Sequence, residues 1–248
     1  MERILAALMF FTRLPFHRIR QVSPQAFRHV TVYWPLAGYL TGGLMALVFF
    51  LSSLVLPPMT AIILAIASRL LLTNALHEDG LADFLDGMGG GSSREHTLMI
   101  MKDSHIGSFG TIGLIIYFLL FIQVSHIPSG IIPSLLFSAD VFSKCVASHI
   151  VDVLPYARKQ EEAKNKTVYE RMSKRDFVLN VTLGAAPALL VLPYRYYPAL
   201  LSCILLFFLL TGIMRKKIQG YTGDCCGALF LIIEVGLLMT FLAISYVS

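Results

Sequence analysis

Long, uninterrupted apolar runs constrain this chain more than any other feature of it. Seven stretches, at about 31–56, 59–76, 107–127, 131–154, 177–193, 197–214 and 226–246, are long and apolar enough to cross a bilayer, which takes roughly 20 helical residues. The runs are continuous rather than alternating, so they predict helices and not the strands of a barrel. Only 14% of the 248 residues are charged and 56% are hydrophobic, against about 25% charged in a soluble domain. A soluble fold could not cover that much apolar surface, so the soluble classes are excluded. The sequence shows no repeat, linker or low-complexity tract. The expected fold is therefore an all-α, polytopic integral membrane helix bundle of about seven transmembrane helices, forming one domain over 1–248.

The connections between these spans fall alternately on two sides. One side receives the N-terminal segment, 77–106, 155–176 and 215–225, and with them seventeen of the 20 Lys and Arg residues, including Lys159, Lys164 and Lys166. The positive-inside rule makes that side cytoplasmic, N-terminus included. The far-side connections are too short to hold a site, so the active site is expected to face the cytoplasm. Met1–Phe11 is apolar, but it lacks a small-residue cleavage site and is followed by Arg13, Pro15, His17, Arg18 and Arg20. An interfacial helix is predicted there rather than a signal peptide. Cys145, Cys203, Cys225 and Cys226 show no metal or disulfide spacing and read as small apolar fillers.

Charges inside the spans are expensive in hydrocarbon. Arg69, Asp140, Lys144 and Glu234 are therefore expected to face the bundle interior in pairs, Asp140 with Lys144 being four residues apart. Gly38, Gly42 and Gly43 are expected to let helices approach closely, as small residues do in bilayers.

The chemistry concentrates in His77-Glu78-Asp79-Gly80-Leu81-Ala82-Asp83-Phe84-Leu85-Asp86-Gly87. Asp79, Asp83 and Asp86 are spaced i, i+4 and i+7, which places them on one face if the stretch is helical. Three stacked carboxylates repel; a hard divalent cation removes that repulsion, and oxygen-only ligands favour Mg²⁺ or Mn²⁺ over zinc. A glycine run, Gly87 to Gly91, leads to Arg94, and Lys102 and Asp103 precede the third span. Far along the chain, Thr222-Gly223-Asp224 places another carboxylate on the same side of the membrane. Carboxylates for a metal, with Lys and Arg for remaining charge, point to phosphoryl transfer.

These residues also carry a resemblance. His77-x-Asp79-Gly80-Leu81-Ala82-Asp83-x-x-Asp86-Gly87, followed by Ile100-Met101-Lys102-Asp103-Ser104-x-Ile106-Gly107-x-Phe109-Gly110, is similar to the hallmark region of the cobalamin synthase (adenosylcobinamide-GDP ribazoletransferase) family. Phe10-Phe11-Thr12-Arg13-Leu14-Pro15, Tyr33-Trp34-Pro35-Leu36-Ala37-Gly38, Thr222-Gly223-Asp224-x-x-Gly227-Ala228 and, more weakly, Pro155-Tyr156-Ala157-Arg158 resemble further parts of it. The resemblance implies a membrane-bound, Mg²⁺-dependent enzyme of the inner (cytoplasmic) membrane. It would join adenosylcobinamide-GDP to α-ribazole or its 5′-phosphate and release GMP. The partners it implies are those two substrates and the lipid bilayer, with homo-oligomerisation left open and no nucleic acid.

The roles expected on this basis are as follows. Asp79, Asp83 and Asp86 bind Mg²⁺, with Asp224 completing the set. Asp103 completes it too or orients the attacking hydroxyl. Lys102, Arg94 and Arg158 meet the pyrophosphate, Thr222 helps bind substrate, and His77 is either a general base or a structural imidazolium. Two rival readings stand beside this one. The first is another Mg²⁺-dependent membrane transferase acting on a pyrophosphate-linked lipid. The CDP-alcohol pattern of that class begins Asp-Gly-x-x-Ala-Arg, whereas Asp79-Gly80-Leu81-Ala82 is followed by Asp83 and Phe84 here. The second is a transporter coupling ions through Asp140, Lys144 and Glu234, although the chain lacks repeated halves.

Overall fold

The computed structural model describes residues 1–158 and 168–247; Lys159, Lys164 and Lys166, counted above on the basic side, lie outside them. Helix α1 (Glu2–Phe11) leads through 3-10 turns, the longest at Pro24–Tyr33, into α2 (Trp34–Ser53). There follow α3 (Pro58–Thr73), α4 (Leu76–Gly90), the short α5 (Arg94–Ile100) and α6 (Ser108–Ile122). The chain then forms α7 (Ile132–Ser148), α8 (Ile150–Val153), α9 (Lys174–Val191), α10 (Tyr197–Ile218) and α11 (Gly223–Val247). Prolines sit in the first turn of α2, α3, α7 and α10, where the missing N–H leaves no hydrogen bond unmade. Among the described residues no strand forms; one isolated bridge joins Tyr156 to Tyr221.

Among the described residues, five helical stretches are long and apolar enough to cross a membrane: Pro24–Ser53, Ser108–His126, Ile132–Val153, Tyr194–Ile218 and Gly223–Val247, with a sixth if the bent pair α3 and α4 counts as one. This is a multi-pass membrane protein, and two of the seven spans that the sequence predicts are not among those five. Two elements account for the difference. The fifth predicted span is the helix α9, but its first turn carries Lys174, Arg175 and Asp176, and it is not among the five. The second predicted span ends in a 91° bend between α3 and α4. Asn74 and Ala75 both take left-handed backbone angles there (φ 56° and 52°). An alanine in that region is disfavoured by roughly 1–2 kcal/mol. The bend is closed by the Ala75 N–H on Leu70 O at 3.0 Å, while the Arg13 N–H takes the free Leu72 carbonyl at 2.8 Å. The acidic segment is thus a helix, as the spacing argument required, but one turned sharply away from the span before it.

α7 and α11 are the most enclosed helices, packed by α2, α4, α6, α9 and α10. Gly38 and Gly42 seat α2 directly on α7: a Cβ at Gly38 would stand 2.9 Å from the Val141 Cα. Outward faces of α6 and α10 carry Ile112, Ile115, Leu119, Leu201, Leu205 and Phe208, all exposed, as a lipid-facing surface does.

The intramembrane charges do face inward. Arg69 on α3 donates through Nη1 to both Glu234 oxygens (2.6 and 2.8 Å) and to Asp140 (3.5 Å). Its Nη2 reaches the Tyr117 hydroxyl (2.6 Å) and Glu78 (3.4 Å). Lys144 donates to Asp140 and, at 3.0 Å, to Thr41. All these charged side chains are buried. Buried charges need partners, and this cluster clamps α2, α3, α4, α6, α7 and α11 together. It includes Glu78 and Tyr117, which the sequence reading had not placed with the others.

Candidate active site

The acidic row on α4 emerges along a gradient of burial: Asp79 is exposed, Asp83 half-buried and Asp86 buried. The two ends of that row meet different surroundings. Both Asp86 oxygens accept backbone N–H groups at the start of α6, from Gly107 at 2.7 Å and from Gly110 at 2.9 Å. A carboxylate in that place caps α6 from a neighbouring helix and complements its dipole. The glycines leave it room, since a Cβ at either would stand about 2.5 Å or less from a carboxylate oxygen.

Asp79 instead lines a cavity together with Asp224. Gly80 on α4 and Gly227 on α11 allow those helices to touch backbone to backbone: a Cβ at Gly80 would lie 3.1 Å from the Asp224 carbonyl oxygen, and one at Gly227 would lie 3.0 Å from the His77 carbonyl oxygen. The Asp-Gly and Gly-Asp-x-x-Gly segments, more than 140 residues apart in the chain, therefore form one helix crossing. A cavity of about 140 Å³ opens at it, lined by Phe11, Trp34, His77, Tyr169, Asp79 and Asp224 among others. A second cavity of about 650 Å³ shares Asp79 and adds Asp83, Arg13 and Ser104. A third, of about 610 Å³, is lined by Arg94, Lys102 and Arg158.

Local structure explains how Arg158 reaches this place. The Ala157 N–H bonds to Tyr221 O (2.8 Å) and the Tyr221 N–H to Pro155 O (2.9 Å). This two-bond bridge pins residues 155–158 beside the start of α11. Arg158 then lies 3.9 Å from Asp224 and donates to Leu98 O at 3.1 Å. Thr222 serves α11 from its N-terminal side: its hydroxyl accepts the Cys225 N–H (3.4 Å) and lies 3.3 Å from an Asp224 oxygen. It holds the carboxylate and caps the helix at once.

The other expected residues are distributed less evenly. Arg94 donates to Ala157 O (2.6 Å) and Ile218 O (3.1 Å), tying the bridge segment to the end of α10. Its guanidinium is thus mostly committed to carbonyls, with its edge on the basic cavity. Lys102 is exposed on that cavity. Asp103 is exposed at the turn before α6, and the backbone N–H of His105, then the His105 side chain, hold its carboxyl below the ordinary Asp value. His77 is not beside the carboxylate row. Its ring is buried among Phe230, Trp34 and Phe11, with centroids at 4.9, 5.6 and 6.0 Å. Neither Arg13 nor the aromatic wall of the cavity at the helix crossing stands among the site residues read from the sequence. The Phe10–Pro15 block, already matched to a family pattern, was the available signal.

Among the described residues, no group of three or more His, Cys, Asp or Glu side chains is arranged to hold a metal by itself. That arrangement still suits Mg²⁺, which keeps several waters and binds through one or two carboxylates plus substrate phosphates. The donors available here, Asp79 with Asp224 and Asp79 with Asp83, are all oxygen and lie in pairs on shared cavities.

The sequence profile of the cobalamin-5-phosphate synthase family matches residues 3–242. The chain belongs to the cobalamin-5-phosphate synthase family. Proteins named adenosylcobinamide-GDP ribazoletransferase resemble it along nearly their whole length. The one from Shewanella frigidimarina is 34% identical over 243 residues, covering 96% of this chain and 93% of the relative. The one from Vibrio parahaemolyticus is 34% identical over 251 residues (98% and 92%), and that from Leptospira interrogans 34% over 237 residues (91% and 89%). No solved structure matches the chain. In this family member the helix crossing at Gly80 and Gly227 brings Asp79 and Asp224, distant in the sequence, to one cavity, with Arg158 3.9 Å from Asp224.

Proposed function

We propose that this protein transfers the adenosylcobinamide-phosphate group of adenosylcobinamide-GDP to α-ribazole or its 5′-phosphate, releasing GMP, a late step of cobalamin assembly. The observation that carries the reading is the convergence of Asp79 and Asp224 on one cavity, with Arg158 3.9 Å from Asp224. A hydroxyl of the ribazole attacks the phosphate on the cobinamide side. A new P–O bond forms, the P–O bond to GMP breaks, and GMP takes up the electron pair.

The residues divide that work. Asp79 and Asp224, with Asp83 on the adjoining cavity, would hold Mg²⁺, which would supply charge neutralisation for the phosphates. Arg158 and Lys102 meet the remaining phosphate charge, and Arg94 keeps Arg158's segment in place. His77, whose ring is enclosed by Phe230, Trp34 and Phe11, supports the wall of the crossing, and the proton of the attacking hydroxyl passes to water. Asp86 holds the start of α6, which keeps Asp103 and Lys102 at the rim. The basic connections support placing this site on the cytoplasmic face of the inner membrane. The intramembrane charges that a transporter would use are instead tied to one another.

The test is GMP release by detergent-solubilised protein given adenosylcobinamide-GDP, α-ribazole and Mg²⁺, with Asp79→Asn and Asp224→Asn alongside. Metal-dependent release by the wild type, at least a hundredfold lower in both variants, is expected. Well-folded wild type that releases no GMP would overturn the assignment.

A further inference from the structure

The cavity of about 610 Å³ beside Arg158 has one wall made from a single stripe of α5 and the turn that follows it. That stripe is Glu95, Leu98, Met99 and Lys102, spaced i, i+3, i+4 and i+7, which share one face of a helix. The Lys102 N–H bonds to Met99 O at 3.0 Å, so the turn carries Lys102 onward in the helical direction. Arg158 lines the same cavity and stands 3.9 Å from Asp224, which joins this space to the carboxylates of the helix crossing.

The chemistry changes in order along the stripe. A carboxylate stands at one end and an ammonium about two turns away, roughly 10 Å by helical rise, with two apolar side chains between them. Acids are ordinary in the first turn of a helix. Glu95 is set apart by its place on a cavity whose other charged lining residues, Arg94, Lys102 and Arg158, are all cations. Its side chain is 78% exposed and pairs with Arg94 Nη1 only at 3.5 Å; such a surface pair contributes little, and the carboxylate is open to a ligand.

Those features select a nucleotide, and one base. Sites for small molecules span about 300–1,000 Å³, so the size is right. A phosphate alone, free or on a lipid head group, would use the cations but be repelled by Glu95. A nucleotide uses both ends if its base carries donors. Guanine presents its N1–H and its amino group side by side, and the two oxygens of a carboxylate accept both in charge-assisted bonds. Adenine turns a ring-nitrogen acceptor to the same place and is rejected.

We infer that this cavity is the guanosine subsite of the nucleotide-activated substrate, with Glu95 reading the base. Leu98 and Met99 cover the face of the ring, and Lys102 holds the phosphate next to the ribose. The inference rests on the reaction proposed above. It puts the GMP leaving group in a cavity separate from the one that Asp79 shares with Asp83.

The probe is GMP itself, with Mg²⁺, bound by the detergent-solubilised full chain in equilibrium dialysis. The wild type should bind GMP about tenfold more tightly than AMP or better, the worth of one hydrogen bond to a charged acceptor. Glu95→Gln turns one acceptor into an NH₂ donor, which opposes the guanine amino group but pairs with the C2 oxygen of xanthine. It should weaken GMP about tenfold and reverse the order, so that xanthosine monophosphate binds better than GMP. Its melting should match the wild type, because the side chain is exposed. Lys102→Gln, at the phosphate end, should weaken all three nucleotides by one common factor. Wild type that holds AMP as tightly as GMP, or that does not bind GMP saturably, would overturn the subsite. An unchanged preference for GMP over xanthosine monophosphate in Glu95→Gln would do the same. GMP release from adenosylcobinamide-GDP is read separately: guanine-selective binding without turnover sinks the reaction alone, and turnover without guanine selectivity sinks the subsite alone.

Discussion

Replacing Asp86 by Asn separates structure from chemistry within the acidic row. Asp86 accepts two backbone N–H groups, at 2.7 and 2.9 Å, one with each oxygen. Asn keeps one acceptor and turns an NH₂ towards the other N–H. One charge-assisted bond is lost, worth about 1.5–3 kcal/mol, and a buried donor is left unsatisfied at about 1–3 kcal/mol more. A loss of about 3 kcal/mol follows, which is about a hundredfold in an opening equilibrium. The effect should concentrate where the bonds are. Hydrogen–deuterium exchange across residues 104–112 should speed up about a hundredfold, and the thermal midpoint in detergent should fall. Asp79→Asn is the control, because Asp79 is exposed. Its exchange and melting should match the wild type while GMP release collapses. If Asp86→Asn leaves exchange and melting unchanged and still abolishes activity, the capping argument is refuted and the carboxylate acts on the metal instead.

Two further substitutions probe the frame around the site. Arg69→Met removes the cation shared by Glu234, Asp140 and Glu78; stranding buried carboxylates should cost about 3–5 kcal/mol, seen as a steep loss of detergent-stable protein on heating, and a variant that melts like the wild type would contradict it. Ala75→Gly relieves the left-handed backbone at the α3–α4 bend (φ 52°) and should stabilise by about 1 kcal/mol, with the melting temperature raised and GMP release retained.

The reach of the sequence can be judged residue by residue. The continuous apolar runs settle an all-helical membrane bundle, because hydrocarbon permits no other way to satisfy a spanning backbone without strand alternation. The inward pairing of Arg69, Asp140, Lys144 and Glu234 follows from the same cost. The acidic spacing puts the carboxylates on one face if the stretch is helical, and α4 is a helix.

Tertiary structure alone decides what each carboxylate meets. Asp79 and Asp86 are two turns apart on one helix, yet one looks into a cavity and the other into the backbone of α6. The 91° bend that turns α4 away from α3 is set by two left-handed residues, Asn74 and Ala75, that carry no glycine or proline signal, and along α4 the start of α11 meets one end and the start of α6 the other. The pairing of Asp79 with Asp224 likewise depends on Gly80 and Gly227 coinciding at one helix crossing, a non-local contact that no local spacing encodes. The aromatic cavity is built from Phe10 and Phe11 of α1, Trp34 of α2 and Tyr169 of a connection. Each reads in sequence as ordinary packing. Periodicity records which side chains must leave water, whereas a site consists of which of them arrive together, and only the folded chain brings them there.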